Sequence, residues 1–183
     1  PMRSSAASDV YKRQSSAQGE WYLNTAATSR DDNDFTEAIV DELSNSYCVD
    51  EDRLYAIGYS LGSMYTYEVA CQLNHRFAAV ASFAGTMPVN PETCDLSGNI
   101  AVMHIHGKLD YIIDYDDDWD WKDGEHEGVG TMSNVPGMID FWAEKSNCQT
   151  ANTHSHIFDG DDVEHIVHSD CAGDVRIEHY GME

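Results

Sequence analysis

The chain has 183 residues, enough for one domain with a sizeable core. Its 33 acidic side chains outnumber 10 basic ones, for a net charge of −23; that balance repels nucleic acid and anionic membrane surfaces, so neither is expected as a partner. No apolar run is long enough to span a bilayer.

Pro1 to Gln18 is rich in Ser, Ala and Gln and lacks apolar periodicity. Arg3, Lys12, Arg13 and Arg30 crowd positive charge into the first 30 residues, against only Asp9 and Glu20. Residues 1–18 therefore read as a linker or non-native segment, and residues 19–183 as the folded domain. From Asp31 the chain becomes periodic. Phe35, Ala38, Ile39 and Leu43 have helical spacing, with Asp31, Asp32 and Asp34 where a helix N-terminus favours negative charge. A strand over Leu54–Gly58 follows, then a helix over Leu61–Leu73. Buried strands are expected over Phe77–Ala84 and Ile100–His106, and a helix over Val135–Ser146. Thr153–Phe158 and Val163–Ser169 predict a hairpin around Asp159-Gly160-Asp161, and Val175–Tyr180 a last strand. Apolar strands alternating with helices predict an α/β fold: a mostly parallel sheet with helices on both faces.

The chemistry concentrates where strands end. Gly58-Tyr59-Ser60-Leu61-Gly62 joins the first of these strands to a helix. G-x-S-x-G in that setting is a nucleophile elbow, with the serine hydroxyl presented on a strained turn and glycines letting strand and helix approach. The same pattern outside a strand–turn–helix is a common Gly-Ser loop, so the flanking elements carry the signal. Asp110 falls in the loop after the strand that ends His104-Ile105-His106-Gly107. Ser60 then Asp110 is the chain order of nucleophile and acid in a hydrolase triad, in which the acid orients the imidazole that takes the serine proton. His106 reads as a structural residue orienting the Asp110 loop, and His104 likewise.

Four segments carry a resemblance. They are Asp32-Asn33-Asp34-Phe35 with Ala38–Leu43, Tyr47–Asp50 with Arg53–Ala56, Phe77–Ala81 with Ala84–Pro88, and Val102–Gly107 with Asp110 and Tyr115. Together they cover most of residues 31–148 and resemble the polyhydroxybutyrate depolymerase and feruloyl esterase group of α/β-hydrolases. The resemblance implies a partial α/β-hydrolase fold in a secreted, extracellular protein. It implies a carboxylic-ester hydrolase with an acyl-serine intermediate, Ser60 as nucleophile, Asp110 as triad acid and the Leu61 backbone N–H as an oxyanion donor. The expected partner is an ester substrate, a plant cell-wall phenolic ester or a polyester, and no cofactor is implied. No Gly-Gly-His segment matches the family's catalytic histidine, so the chain reads as an internal piece of an esterase. Of the histidines present, His179 is the first substitute for that position. Another serine hydrolase, of the dienelactone-hydrolase or oligopeptidase kind, and a non-catalytic binding domain are the alternative readings.

Asp110 to Glu127 holds nine carboxylates against Lys122 alone. Asp116, Asp118 and Asp120 alternate as in a calcium loop, but the glycine such a loop needs next is Trp121, so a solvated loop is expected. Trp119 and Trp121, with Tyr59 beside Ser60, are candidates to line a substrate cleft; the tryptophans fit core packing equally well. The five cysteines form no C-x-x-C, and no Cys/His spacing suggests zinc, so no metal is expected. Cys148 and Cys171 bracket a weakly packed segment and are the first disulfide expected, Cys71 and Cys94 the second. Disulfides belong to an extracytoplasmic protein.

Overall fold

The computed structural model describes residues 21–25, 31–96, 99–121 and 129–183; the segment 1–18 lies outside the described residues. The Asp-rich start is a helix, α1 (Asp31–Ser46), and the elbow strand is β1 (Tyr55–Tyr59), followed by α2 (Leu61–Gln72). Then come β2 (Ala79–Phe83), β3 (Ala101–Gly107), two short strands β4 (Trp119–Asp120) and β5 (Thr131–Met132), and α3 (Val135–Lys145). A hairpin of β6 (Thr150–Phe158) and β7 (Asp161–Ser169) precedes β8 (Ile177–Met182). Asp159 and Gly160 turn the hairpin with positive φ values of 52° and 99°, as the two-residue turn that suits twisted strands requires.

Six strands form one sheet in the order β1-β2-β3-β8-β7-β6. The pairs β1–β2, β2–β3 and β3–β8 are parallel, whereas β7 joins β8 and β6 joins β7 antiparallel. The hairpin is thus part of the main sheet, which local patterning does not reveal. The last strand lies two residues later than its apolar run suggests. The short pair β4–β5 has no alternating pattern to betray it.

The helices bury one face of the sheet. That face presents Val80, Ser82, Val102, His104, His106, Ile177 and His179, all buried. Against it lies α2, buried at every position from Ser63 to Cys71, and all-round burial is the mark of a central helix. Tyr67 of α2 stacks on Trp142 of α3 at 5.9 Å, so both helices share this side. Helix α1 packs on α2. The other face presents Tyr55, Ile57 and Tyr59, which are 64%, 74% and 75% exposed. The alternation of apolar strands with helices predicts helices on both faces; among the described residues α2 and α3 lie on the same one.

At the start of α3 the Asn134 side chain accepts from the Gly137 N–H at 2.7 Å, and Pro136 sits in the first turn, where its missing N–H costs nothing. Two disulfides close the loops: Cys71–Cys94 and Cys148–Cys171, each spanning 23 positions. Cys48 is free and exposed.

Candidate active site

Ser60 occupies the single residue between β1 and α2, with φ 52° and ψ −123°. These are the angles of the first central residue in a type II′ turn, a place that favours glycine. A serine held there costs about 1–3 kcal/mol and persists only where the surroundings over-determine it. They do so here. The Ser60 N–H donates to the Phe83 carbonyl at 2.9 Å, and the Ser60 carbonyl accepts from Ser63 and Met64. Gly58 is obligatory, since a Cβ there would lie 2.1 Å from the Gly62 carbonyl oxygen. Gly62 itself faces open space, so only the first glycine of the motif answers to close packing. Gly85, which the motif does not include, matters as much: its Cβ would sit 2.4 Å from Ser63 Oγ and 2.8 Å from the Ser60 carbonyl oxygen. The Ser60 side chain caps no N–H of α2. Leu61 opens that helix, and a first-turn N–H has no partner within its own helix.

Asp110 follows β3, two strands from β1, which is roughly 10 Å across the sheet. Its Oδ1 accepts from the N–H groups of Ile112 at 2.8 Å and Ile113 at 3.0 Å, a turn that holds the carboxylate in place. Oδ2 lies 3.7 Å from His106 Nε2. That contact is not an ion pair, because burial holds His106 below its ordinary value, against the opposing pull of the Ile113 carbonyl and Asp110. His106 Nε2 instead reaches the Ile113 carbonyl at 3.1 Å. Ile113 therefore ties the loop at both ends, its N–H to Asp110 and its carbonyl to His106.

His104 and His179 complete a buried imidazole group on the helix-covered face. His104 Nε2 is 3.2 Å from His106 Nδ1, and His104 Nδ1 is 2.7 Å from the Tyr67 hydroxyl. Burial holds His104 well below its ordinary value, with the neighbouring His179 and His106 adding to the effect. His179 Nε2 bonds the Tyr115 hydroxyl at 2.8 Å, and its buried Nδ1 has no side-chain hydrogen-bond partner among the described residues. Burial pushes its pKa down to about 4.

The structure does not bring His179 to Ser60. β2 and β3 stand between their strands, and Tyr115 holds the nitrogen that a triad would need. Among the described residues no histidine hydrogen-bonds to the Ser60 side chain. Tyr59 is exposed beside Ser60. Trp121 is a core residue, 9% exposed, while Trp119 is half-buried against the core and donates to Thr86 Oγ1 at 3.2 Å. In the acidic loop, Asp118 Oδ1 accepts from the backbone and side-chain nitrogens of Asn134, both at 2.7 Å, and Asp120 accepts from Thr131. Asp118 thus braces the loop against the start of α3 and Asp120 ties β4 to β5, roles the calcium-like spacing hides.

Comparison with known proteins agrees with this architecture. The chain is 41% identical over 85 residues to a candidate esterase, NocK of Nocardia uniformis subsp. tsuyamanensis, a match covering 46% of this chain and 25% of that protein. Feruloyl esterase B of Piromyces equi is 29% identical over 98 residues, 52% of this chain and 18% of its own length. Feruloyl esterase C of Emericella nidulans is 33% identical over 93 residues, 50% of this chain and 33% of its own. The chain thus spans a third or less of these relatives. Among solved structures, the acetyl xylan esterase from Aspergillus awamori superposes with a TM-score of 0.54 over 86% of this chain and 63% of that one, at 12% identity, a likeness of fold. The Phospholipase/Carboxylesterase family profile matches residues 11–119, more than half of the chain, and the chain belongs to that family of α/β-hydrolases.

Proposed function

We propose that this chain carries the nucleophile and acid of a carboxylic-ester hydrolase acting through an acyl-serine intermediate. The observation that carries the reading is the Ser60 backbone, held at φ 52° between a strand and the start of a helix. In this reading Ser60 Oγ attacks the ester carbonyl carbon, and the alkoxide leaving group departs as an alcohol once protonated. Water then hydrolyses the acyl-serine ester and releases the acid. The Leu61 N–H donates to the developing oxyanion, and Asp110 orients the imidazole that takes the Ser60 proton.

The substrate class follows the named relatives, which include feruloyl esterases: an ester of a plant cell-wall phenolic acid. Two disulfides support an extracytoplasmic site of action. No described helix is long and apolar enough to cross a membrane.

The test is covalent labelling of the chain with a fluorophosphonate, the adduct mapped by mass spectrometry. Ser60 is expected to carry it, and Ser60→Ala to abolish it. A label on another serine removes Ser60 from the role; no label on the wild type leaves Ser60 without a base to activate it. The second outcome favours the non-catalytic reading, which the lack of a described histidine at Ser60 makes concrete.

A further inference from the structure

The β6–β7 hairpin carries a histidine cluster that the Ser60 site does not use. His154 stands directly opposite His165 in the antiparallel register, and His156 follows His154 by two residues on the same strand. Side chains two apart on a strand, and pairs across strands, share one face of the sheet. The three rings accordingly form a triangle, with centroids 5.8 Å apart for His154–His165, 5.8 Å for His156–His165 and 6.4 Å for His154–His156. His154 and His156 are exposed. His165 is held firmly. It stacks on Tyr180 at 4.1 Å with an interplanar angle of 9°. Its Nε2 lies 3.1 Å from Glu178 Oε2, which also accepts from the Tyr180 hydroxyl at 3.2 Å. A carboxylate only accepts, so the Nε2 that faces Glu178 carries a proton, and Nδ1 is the ring nitrogen left for a cation.

We propose that His154, His156 and His165 bind one divalent transition-metal cation of the zinc and nickel class, with Glu178 as the outer partner of His165. Imidazole nitrogen is the ligand these cations take, while calcium and magnesium want oxygen. A carboxylate on the far nitrogen of a ligating histidine fixes its tautomer and raises its basicity, and Glu178 is placed for that. The net charge of −23 draws cations to the surface. Zinc–nitrogen bonds of about 2.0–2.1 Å at tetrahedral angles put ring centres roughly 5 Å apart. The observed triangle is wider by about an ångström, and among the described residues no group of three or more His, Cys, Asp or Glu is placed to hold a metal ion without side-chain movement. Closing it takes side-chain rotation of His154 and His156, which stand at the surface, onto the fixed His165. The site is independent of the ester-hydrolase reading.

The experiment titrates zinc chloride into the metal-stripped chain by calorimetry and follows histidine ¹H–¹⁵N signals in parallel. One saturable site is expected, with signals of His154, His156 and His165 shifted or broadened and those of His75 and His168 unchanged. The His154→Ala/His156→Ala double variant is expected to keep the zinc-free thermal midpoint and to bind zinc at least 100-fold more weakly. Glu178→Gln is expected to weaken binding about tenfold. No saturable binding to the wild type, a double variant within threefold of it, or zinc-dependent changes centred on His75 or His168 would overturn the proposal.

Discussion

His104 donates through Nε2 to His106 Nδ1 at 3.2 Å, and the direction of that bond is set from outside the pair. The Ile113 carbonyl only accepts, so His106 must carry its proton on Nε2. Burial keeps the ring neutral, which leaves Nδ1 as an acceptor and makes His104 the donor. His104 Nδ1 in turn accepts from the Tyr67 hydroxyl. One polarised chain therefore runs from α2 through β3 to the loop that holds Asp110, and each ring nitrogen along it has one workable role.

The chain predicts acid sensitivity. His104, His106 and His179 are all held below the ordinary 6.5, so the folded state binds fewer protons than the unfolded state just under that pH. The stability they contribute is present above pH 6.5 and is lost as pH falls below it, for His179 down to about 4. For His179 the fall from 6.5 to about 4 corresponds to about 3 kcal/mol. Glu68 works in the opposite sense, since burial raises its carboxyl. Urea midpoints between pH 7.5 and 4.5 should fall with pH, with a shallower slope in His179→Gln. A flat profile would mean that the imidazoles are already charged or solvated.

Substitution at His106 separates hydrogen bonding from packing. His106→Gln keeps one donor for the Ile113 carbonyl and one acceptor for His104, so it should be nearly neutral. His106→Leu strands both groups, at about 1–3 kcal/mol each, and frees the Asp110 loop. Denaturant unfolding of the two variants side by side provides the comparison; equal losses would make His106 a space-filling residue.

The two glycines of the elbow should behave oppositely. A Cβ at Gly58 meets backbone atoms of Gly62 at 2.1 Å and 2.3 Å and Ser63 N at 2.6 Å, and backbone cannot step aside as a flexible side chain can. Gly58→Ala is expected to cost more than about 3 kcal/mol, beyond an ordinary point mutation. Gly62 lies in α2 with nothing within 4 Å of its Cβ position, so Gly62→Ala should gain up to about 1 kcal/mol of helix propensity. Thermal midpoints decide it, and a destabilised Gly62→Ala would show that the helix start tolerates no side chain.

These contrasts mark where local pattern stops being informative. β1, α2 and the turn between them are legible because apolar runs and the G-x-S-x-G spacing are local signals. The need for Gly85 is invisible, because its neighbours Ser60 and Ser63 come from another element. Asp118 and Asp120 imitate a calcium loop in sequence; pairing with Asn134 and Thr131 across the loop decides otherwise. The alternation that placed Val175–Tyr180 misses the strand end, because Gly181 and Met182 join β8 through pairing to His106 and Gly107. His154 and His156 look like isolated surface histidines until the hairpin register sets His165 beside them.

Asp110→Asn addresses the acid. Its Oδ1 holds two backbone N–H groups, and an amide oxygen can keep both, so the loop should stay folded. If the carboxylate orients the imidazole serving Ser60, turnover should fall roughly 10⁴-fold, as it does when a triad aspartate becomes asparagine. Stopped-time phosphonylation of Ser60 in wild type and variant reads the difference. A loss under about tenfold would move the acid elsewhere, with Asp114 next, although its Oδ1 already accepts from Asp116 and Asp117.

The disulfides give the last prediction. Each closes a separation of 23 residues, for which loop-closure entropy gives about 3 kcal/mol. Cys148–Cys171 ties the end of α3 to the approach to β8, and the loop it closes contains the hairpin. Native chain treated with a maleimide should take one label, at the exposed Cys48. Unfolding with reduction should expose all five thiols. Cys148→Ala/Cys171→Ala and Cys71→Ala/Cys94→Ala should each lower the unfolding free energy by about 3 kcal/mol, and by somewhat more where the loss of buried Cys71 or Cys171 also opens a cavity. More than one native label would show that a bridge is absent, and then the variant of that pair should cost little beyond its cavity.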